Sequence, residues 1–184
     1  MDHYIDVKIN PDTEMRENVL LNKVYTKLHK ALCTLQATDF GVSFPKYTVK
    51  LGKVLRVHGT RDRSMVLQDL NWLGGLVGYC DKLLIQEVPA DGVSYRTVSR
   101  KQANMTAAKL RRLIKRGSIP ESDVKKYKIK MFSQGLDNPY LELQSGSSGH
   151  KHRRYLAFSR LSEQLKRGHF DQFGLSKDAT IPWF

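Results

Sequence analysis

The chain has 184 residues, of which 40% are hydrophobic and 27% charged, a composition typical of one large or two small folded domains rather than of a disordered chain. It has no run of about 18 apolar residues that could span a bilayer, and residues 1–4 lack the basic and apolar regions of a secretion signal. These features exclude an integral membrane protein, and we expect a soluble cytoplasmic protein with no membrane partner.

The formal net charge of +13 is concentrated in one segment. Residues 1–95 carry 12 Lys and Arg against 11 acids, residues 96–130 carry 12 against 2, and residues 131–184 carry 7 against 5. A charge that served solubility alone would be spread more evenly, whereas a basic stripe matches a phosphate backbone. Nucleic acid is therefore favoured over a membrane surface, because the basic segment contains no interfacial Trp or Phe.

The two cysteines indicate neither a disulfide framework nor a zinc site. Cys33 and Cys80 fall in separate predicted elements and lack metal-ligand spacing. We expect two buried, reduced thiols.

The first half of the chain alternates predicted strands and helices. Residues 4–9 alternate as a strand does, and a helix follows them. The apolar residues that recur at three- and four-residue steps in this helix are Leu21, Val24, Leu28, Leu32 and Leu35. Strands over residues 42–44 and 53–58, a helix over 61–73 that stops at Gly74, and a strand over 82–88 complete the set. This order is the split βαβ pattern of ferredoxin-like, RRM-like domains, so we predict an α+β protein with such a domain over residues 1–92.

Residues 89–92 mark a predicted boundary, because the composition becomes basic beyond them. In the second domain, residues 93–184, we predict an arginine-rich helix over 107–116 with Thr106 as its N-cap and Gly117 as its stop. Its narrow apolar side consists of Leu110, Leu113 and Ile114, and its cations are Lys109, Arg111, Arg112, Lys115 and Arg116. One side is expected to dock on the protein and the other to face phosphates. A helix over 120–131, a strand over 140–143 and a Gly/Ser turn over 145–149 follow.

Two sites in this sequence could carry chemistry. His29 lies at the border of the apolar stripe, beside Tyr25, where a half-desolvated imidazole could reach a cleft and take a proton near neutral pH. A lone helical His is more often structural. The turn at 145–149 offers the hydroxyls of Ser145 and Ser147 and could cradle a phosphate, although a solvated hairpin loop has the same composition.

Other catalytic arrangements find little support. His150 and His152 would share a strand face but have no third ligand at suitable spacing, no Ser sits in a nucleophile elbow, and acids are too scarce for a two-metal nuclease. RNA can avoid this scarcity because its own 2′-hydroxyl can attack the neighbouring phosphorus. One base and one positioning hydroxyl can then suffice, with no metal and no cofactor.

These residues also resemble a known family over nearly the whole chain, the type I-F CRISPR repeat-processing endoribonucleases. The matching segments are residues 1–4 (MDHY), 27–32 (KLHKAL), 41–45 (GVSFP), 95–103 (YRTVSRKQA), 110–112 (LRR), 174–177 (GLSK) and 182–184 (PWF).

The resemblance implies a ferredoxin-like domain followed by a domain whose arginine-rich helix enters the major groove of an RNA hairpin in CRISPR repeat transcripts. Cleavage would fall at the base of the stem and leave a 2′,3′-cyclic phosphate, or its 3′-phosphate, and a 5′-hydroxyl. The family roles carry over to His29 as base and to Ser145 as the group that positions the ribose hydroxyl. Arg100 and Gln102 match the pair that reads bases. The mature guide RNA and the other subunits of the type I-F surveillance complex are the implied partners.

The sequence departs from the family pattern at three places. The active-site Tyr falls on Phe173, which keeps a ring that can pack against His29 but has no hydroxyl. The basic helix has Leu113 and Gly117 where the family has arginines. The aromatic residue that stacks on the closing base pair falls on His152, with Tyr155 as the alternative.

Two further hypotheses compete with the endoribonuclease. A non-catalytic RNA-binding protein would carry the same basic helix, and only cleavage distinguishes it. A DNA-binding repressor is disfavoured, because the turn before the basic helix lacks helix-turn-helix spacing.

Overall fold

The computed structural model describes residues 1–102, 107–133, 137–144 and 149–184. Its first half comprises β1 (His3–Lys8), α1 (Glu17–Thr34), β2 (Gly41–Ser43), β3 (Val54–Gly59), α2 (Arg61–Asp69), a 3-10 helix (Gly74–Tyr79) and β4 (Ile85–Glu87). The four strands form one antiparallel sheet in the order β2-β3-β1-β4. The predicted strand and helix order is therefore found, with changed bounds.

The second half comprises β5 (Ser94–Arg96), β6 (Val98–Lys101), α3 (Ala107–Lys115), α4 (Glu121–Ser133), β7 (Tyr140–Gln144), β8 (Lys151–Phe158) and β9 (Ile181–Trp183). Strands β6, β8 and β7 form a three-stranded antiparallel sheet with β8 in the centre, and β5 pairs with β9. Both halves of the chain combine helices with antiparallel sheets, which confirms the α+β class.

Helix α1 buries the predicted apolar stripe. Leu21, Val24, Leu28 and Leu32 are at most 4% exposed, and one apolar cluster joins them to Leu141 on β7. The core therefore draws on both halves of the chain, and α1 is the element on which the β7–β8 hairpin rests.

The second helix is shorter than predicted. It ends at Asp69 rather than near residue 73, because Asn71 adopts a left-handed conformation (φ 44°) and donates its N–H to the Gln68 carbonyl. Asn is one of the few residues that accept this conformation, which commonly ends a helix. Gly74, the predicted end of this helix, instead begins the 3-10 helix.

Strands β5, β6 and β9 were not predicted. Each has three or four residues, too few to display the alternation that identifies a strand, and tertiary pairing creates them.

The basic helix α3 lies where the sequence placed it. Gly117 follows it with φ 67°, and Ser118 N–H donates to the Leu113 carbonyl, so the predicted stop is confirmed. Thr106 lies outside the described residues. Of the predicted apolar side, Leu110 is 4% exposed but Ile114 is 45% exposed, so the docking surface is narrower than expected.

Both cysteines are free thiols, and each is only partly buried rather than buried as predicted. Within the described ranges no helix is both long and apolar enough to cross a membrane.

Candidate active site

His29 is set in the last third of α1, at the edge of its buried face. Leu28 and Leu32 hold that face in the core, and His29 is partly buried beside them. The helical period turns its side chain away from the core toward the segment before the last strand, as the border position predicted. The site therefore begins with an imidazole that is anchored by its helix yet not enclosed.

A backbone carbonyl determines which nitrogen of the neutral imidazole carries the hydrogen. His29 Nδ1 lies 2.8 Å from the carbonyl oxygen of Gln172. A carbonyl can only accept a hydrogen bond, so in the neutral ring Nδ1 carries the hydrogen and donates it. Nε2 then holds the lone pair and is the nitrogen able to take a proton.

The loop that supplies this carbonyl is pinned at several points. The Asp171 carboxylate accepts hydrogen bonds from the N–H groups of Phe173 and Leu175, both at 2.9 Å. Gly174 has φ 70°, and its carbonyl accepts from Val42 N–H at 2.9 Å. A Cβ at Gly174 would lie 2.6 Å from the Val42 side chain, so only glycine fits this close approach.

Buried Tyr25 locks the same loop to α1. Its hydroxyl donates to the Phe173 carbonyl at 2.7 Å. Burial raises the pKa of this phenol, so Tyr25 stays protonated and remains a donor. One turn of α1 thus holds both the imidazole and the backbone that orients it.

The ring of Phe173 lies flat on the His29 imidazole. Their centroids are 3.6 Å apart and their planes differ by 12°. Phe173 has no hydroxyl to orient the imidazole, and the Gln172 carbonyl supplies that hydrogen bond. Cys33 also approaches the ring, with Sγ 3.5 Å from Nδ1, while its thiol donates to the Gln172 side chain at 3.2 Å.

A pocket of about 230 Å³ opens at this imidazole. Its lining consists of Thr26, His29, Leu143, Gln144, His152, Arg154 and Phe173. Gln144 is the last residue of β7 and the chain neighbour of Ser145. Ser145 and Ser147 themselves lie outside the described residues.

One face of the β6-β8-β7 sheet points toward this pocket. His152, Arg154 and Leu156 alternate along β8 and share that face, and Arg154 stands opposite buried Leu141 of β7. Arg100 on β6 stands opposite Leu156, and directly paired residues project to the same side. The sheet therefore places Arg100 and His152 on the side of the imidazole.

The remaining predicted RNA contacts lie on exposed positions. Gln102 follows β6 directly and is exposed. The cations of α3, and Arg116 directly after it, are all exposed: Lys109, Arg111, Arg112, Lys115 and Arg116. None of these five lines the described pocket, so the structure groups the predicted residues into a pocket set and a separate helix set. Among the described residues, no cluster of three His, Cys, Asp or Glu could hold a metal ion.

Two pocket contacts escaped the sequence analysis. The Gln172 carbonyl is a backbone group 143 positions from His29, and no side-chain pattern reveals such a partner. Arg154 was visible only as one of several basic residues after the Gly/Ser turn. Its signal was its position two residues before Leu156 on an alternating strand, which assigns it to the buried face.

A family model and two relatives match this chain over nearly its whole length. The model of a family described as CRISPR-associated protein (Cas_Csy4) matches residues 4–184. The CRISPR-associated endonuclease Cas6/Csy4 of Escherichia coli (strain UTI89 / UPEC) is 34% identical over 185 residues, which cover 100% of both chains. The CRISPR-associated endonuclease Cas6/Csy4 of Pseudomonas aeruginosa (strain UCBPP-PA14) is 35% identical over 190 residues, again covering 100% of both.

Proposed function

The chain belongs to the CRISPR-associated Cas_Csy4 family, and from this premise we propose that it is an endoribonuclease that cuts the hairpin of CRISPR repeat transcripts. The observation that carries the proposal is the hydrogen bond from His29 Nδ1 to the Gln172 carbonyl. It leaves Nε2 as a proton acceptor beside a pocket whose lining includes His152 and Arg154.

The reaction needs only groups that the RNA and this site contain. Nε2 of His29 removes the proton from a ribose 2′-hydroxyl, and the 2′-oxygen attacks the adjacent phosphorus. The bond from phosphorus to the 5′-oxygen breaks, and that oxygen takes up a proton from the solvent, to which His29 afterwards releases the proton it accepted. The products are a 2′,3′-cyclic phosphate and a 5′-hydroxyl, and addition of water to the cyclic phosphate can convert it to the 3′-phosphate, with no metal taking part.

Ser145 would position the attacking ribose hydroxyl, with Ser147 and Phe173 in support. Gln144 lies in the pocket wall, so the chain passes the imidazole one residue before Ser145. A hydroxyl there could orient the ribose for in-line attack.

The RNA would be held by two sets of residues. Arg100, on the sheet face that points toward the pocket, and Gln102 would read base edges beside the cut, since these side chains pair with guanine and adenine respectively. His152, in the pocket wall, would stack on the closing base pair. The exposed cations of α3 would bind phosphates along the stem.

The fold supports the same proposal. We infer that residues 1–92 form a ferredoxin-like domain, supported by the sheet order β2-β3-β1-β4 and the alternating elements. Residues 93–184 would form the hairpin-binding domain. We further propose that the protein acts in the cytoplasm and stays on the mature guide RNA beside other subunits of the surveillance complex.

The experiment compares wild-type protein with His29→Ala and His29→Gln on the repeat hairpin from its own locus. With enzyme in excess and EDTA present, we expect the cleavage rate constant to fall by roughly 10²-fold or more in both variants, because the base is missing. Affinity for an uncleavable hairpin should change little. Cleavage at the wild-type rate by either variant contradicts the role of His29, and no cleavage by the wild type would leave a binding protein.

A further inference from the structure

Arg154 is a buried cation behind the active-site ring. Its guanidinium carbon lies 3.5 Å from the centroid of Phe173, and the centroid of the His29 imidazole lies 3.6 Å from the same point. Two groups centred over one ring at van der Waals distance cannot share a face. Phe173 is therefore sandwiched between the imidazole and the guanidinium.

No ion pair within the described part of the chain balances the charge of Arg154, on which Asp171 acts only from beyond ion-pair distance. The side chain belongs to a residue that is only 6% exposed, and its Nε has no hydrogen-bond partner. Among the ion pairs formed by described residues, none includes Arg154. Burial lowers the pKa of its guanidinium, yet an Arg side chain remains charged at the pH values where proteins function.

Burying a cation without a partner is unfavourable. Two of the neighbours of Arg154 on that face of the hairpin are buried and apolar, with Leu141 directly opposite and Leu156 two positions along. An aliphatic side chain would fit this position at lower cost. However, Arg154 also forms part of the pocket wall together with His29. A negatively charged group that enters the pocket would there balance the charge of its guanidinium.

We propose that Arg154 is a catalytic residue whose guanidinium binds a non-bridging oxygen of the scissile phosphate. The inference rests on the proposed endoribonuclease function. During attack by the 2′-oxygen, negative charge builds up on the non-bridging oxygens, and a preorganised donor in a desolvated site stabilises it more than water does. Arg154 forms and breaks no covalent bond. His29 removes the proton on one side of Phe173, and Arg154 holds the phosphate from the other.

The spacing fits such a division. One aromatic ring separates the two groups. Two hydrogen bonds of about 2.8 Å each, one to a non-bridging phosphate oxygen and one from the neighbouring 2′-hydroxyl, would let a single nucleotide join the groups on the two faces of the ring. The edge of Phe173 is thus a spacer that keeps base and cation on different atoms of the same substrate.

The test compares Arg154→Met with Arg153→Met. Methionine keeps a long unbranched side chain but replaces the charged guanidinium with an apolar end. Arg153 is the matched control, because it is the next residue on β8, is exposed, and pairs with Glu142 at 3.2 Å. Both variants lose one positive charge. We expect Arg154→Met to lower the single-turnover rate constant by roughly 10²-fold, with a hairpin affinity close to that of Arg153→Met and a melting temperature no lower.

A phosphorothioate at the scissile position distinguishes contact from mere support of the ring. Sulfur replaces one non-bridging oxygen at a time, so wild-type protein should cut one diastereomer faster, and Arg154→Met should lose that preference. Arg154→Lys keeps the charge and should retain part of both the rate and the preference. If Arg154→Met does not fold, the test uses the ratio of the cleavage rates of the two diastereomers, compared between wild type and Arg154→Lys. The proposal then requires a preference in wild type that is weaker in Arg154→Lys.

The inference is overturned if Arg154→Met cuts as fast as Arg153→Met, if wild-type protein cuts both diastereomers equally, or if Arg154→Met is slow with its preference intact. His29→Ala is measured in parallel. No cleavage by the wild-type protein would refute the proposed function itself, and normal cleavage by His29→Ala would refute only the role of His29 as base. An inactive His29→Ala beside a normal Arg154→Met refutes only the role of Arg154.

Discussion

At the scale of single residues, a backbone carbonyl orients the imidazole of His29, the proposed base. The Gln172 carbonyl orients His29 at 2.8 Å, and the Asp171 carboxylate and Tyr25 hydroxyl fix the loop that presents it. A side-chain hydroxyl at position 173 is therefore not required to hold the imidazole. This explains how Phe173 can stand where the family pattern has Tyr.

A second histidine is built for stability rather than for catalysis. His58 on β3 is fully buried, and its Nε2 lies 2.8 Å from the Ser43 hydroxyl. Burial, assisted by the neighbouring charge of Arg56, lowers the pKa of His58 to about 3. The folded protein therefore keeps this ring neutral far below the ordinary pKa of histidine.

Stability should consequently fall in acid through His58. Above about pH 6.5 the ring is neutral whether folded or unfolded, but between pH 6.5 and about 3 only the unfolded chain takes up the proton. The free energy of unfolding should then drop by up to about 1.4 kcal/mol per pH unit. Urea denaturation at pH 6.5 and pH 5 should show a drop about 1.6 kcal/mol larger for wild type than for His58→Gln, which cannot titrate there. Equal drops would show that the folded protein takes up the proton at His58 over the same pH range as the unfolded chain.

The sequence predicts single residues well where a helical period decides the matter. The border position of His29 follows from the apolar stripe of α1, and the structure places it there. The contacts of Gln172 and Arg154 depend on which distant segments meet, so a single sequence does not reveal them. Ser145 and Ser147 remain predictions.

At the scale of elements, we propose different tasks for the basic helix and the short strand β6. The cations of α3 are exposed around one buried anchor, Leu110, as expected for a helix that faces a phosphate backbone. Arg100 on β6 lies on the sheet face directed toward the pocket. Charge density predicted the helix, but β6 could not be predicted, because its four residues gain their conformation from pairing with β8.

A salt titration separates these tasks. Losing one phosphate contact lowers the slope of log affinity against log salt by somewhat under one unit. Arg112→Ala and Arg116→Ala should therefore weaken matched and mismatched hairpins equally and give shallower slopes. Gln102→Ala should keep the slope but narrow the preference for the correct base by roughly 1 to 3 kcal/mol. The opposite pattern would exchange the two roles, and unchanged binding in all three variants would remove α3 from the RNA site.

At the scale of the whole molecule, one core unites segments far apart in sequence. Helix α1 carries His29, the proposed base, the loop before β9 contacts its imidazole, and the β7–β8 hairpin forms the opposite wall of the pocket. The order of elements in the first half was predictable from periodicity. The packing of the second half against α1 was not, since it depends on contacts between strands only three to eight residues long.

The central claim is that the RNA supplies its own nucleophile to a metal-free site, and a single altered ribose tests it most directly. Wild-type protein in excess is mixed, in EDTA, with the all-ribose repeat hairpin or with one that has 2′-deoxyribose just upstream of the cut. We expect the first to be cut to a 2′,3′-cyclic phosphate or 3′-phosphate and a 5′-hydroxyl, and the second to bind equally well and stay intact. Cleavage of the deoxy hairpin, or loss of cleavage of the all-ribose hairpin in EDTA, would contradict the mechanism.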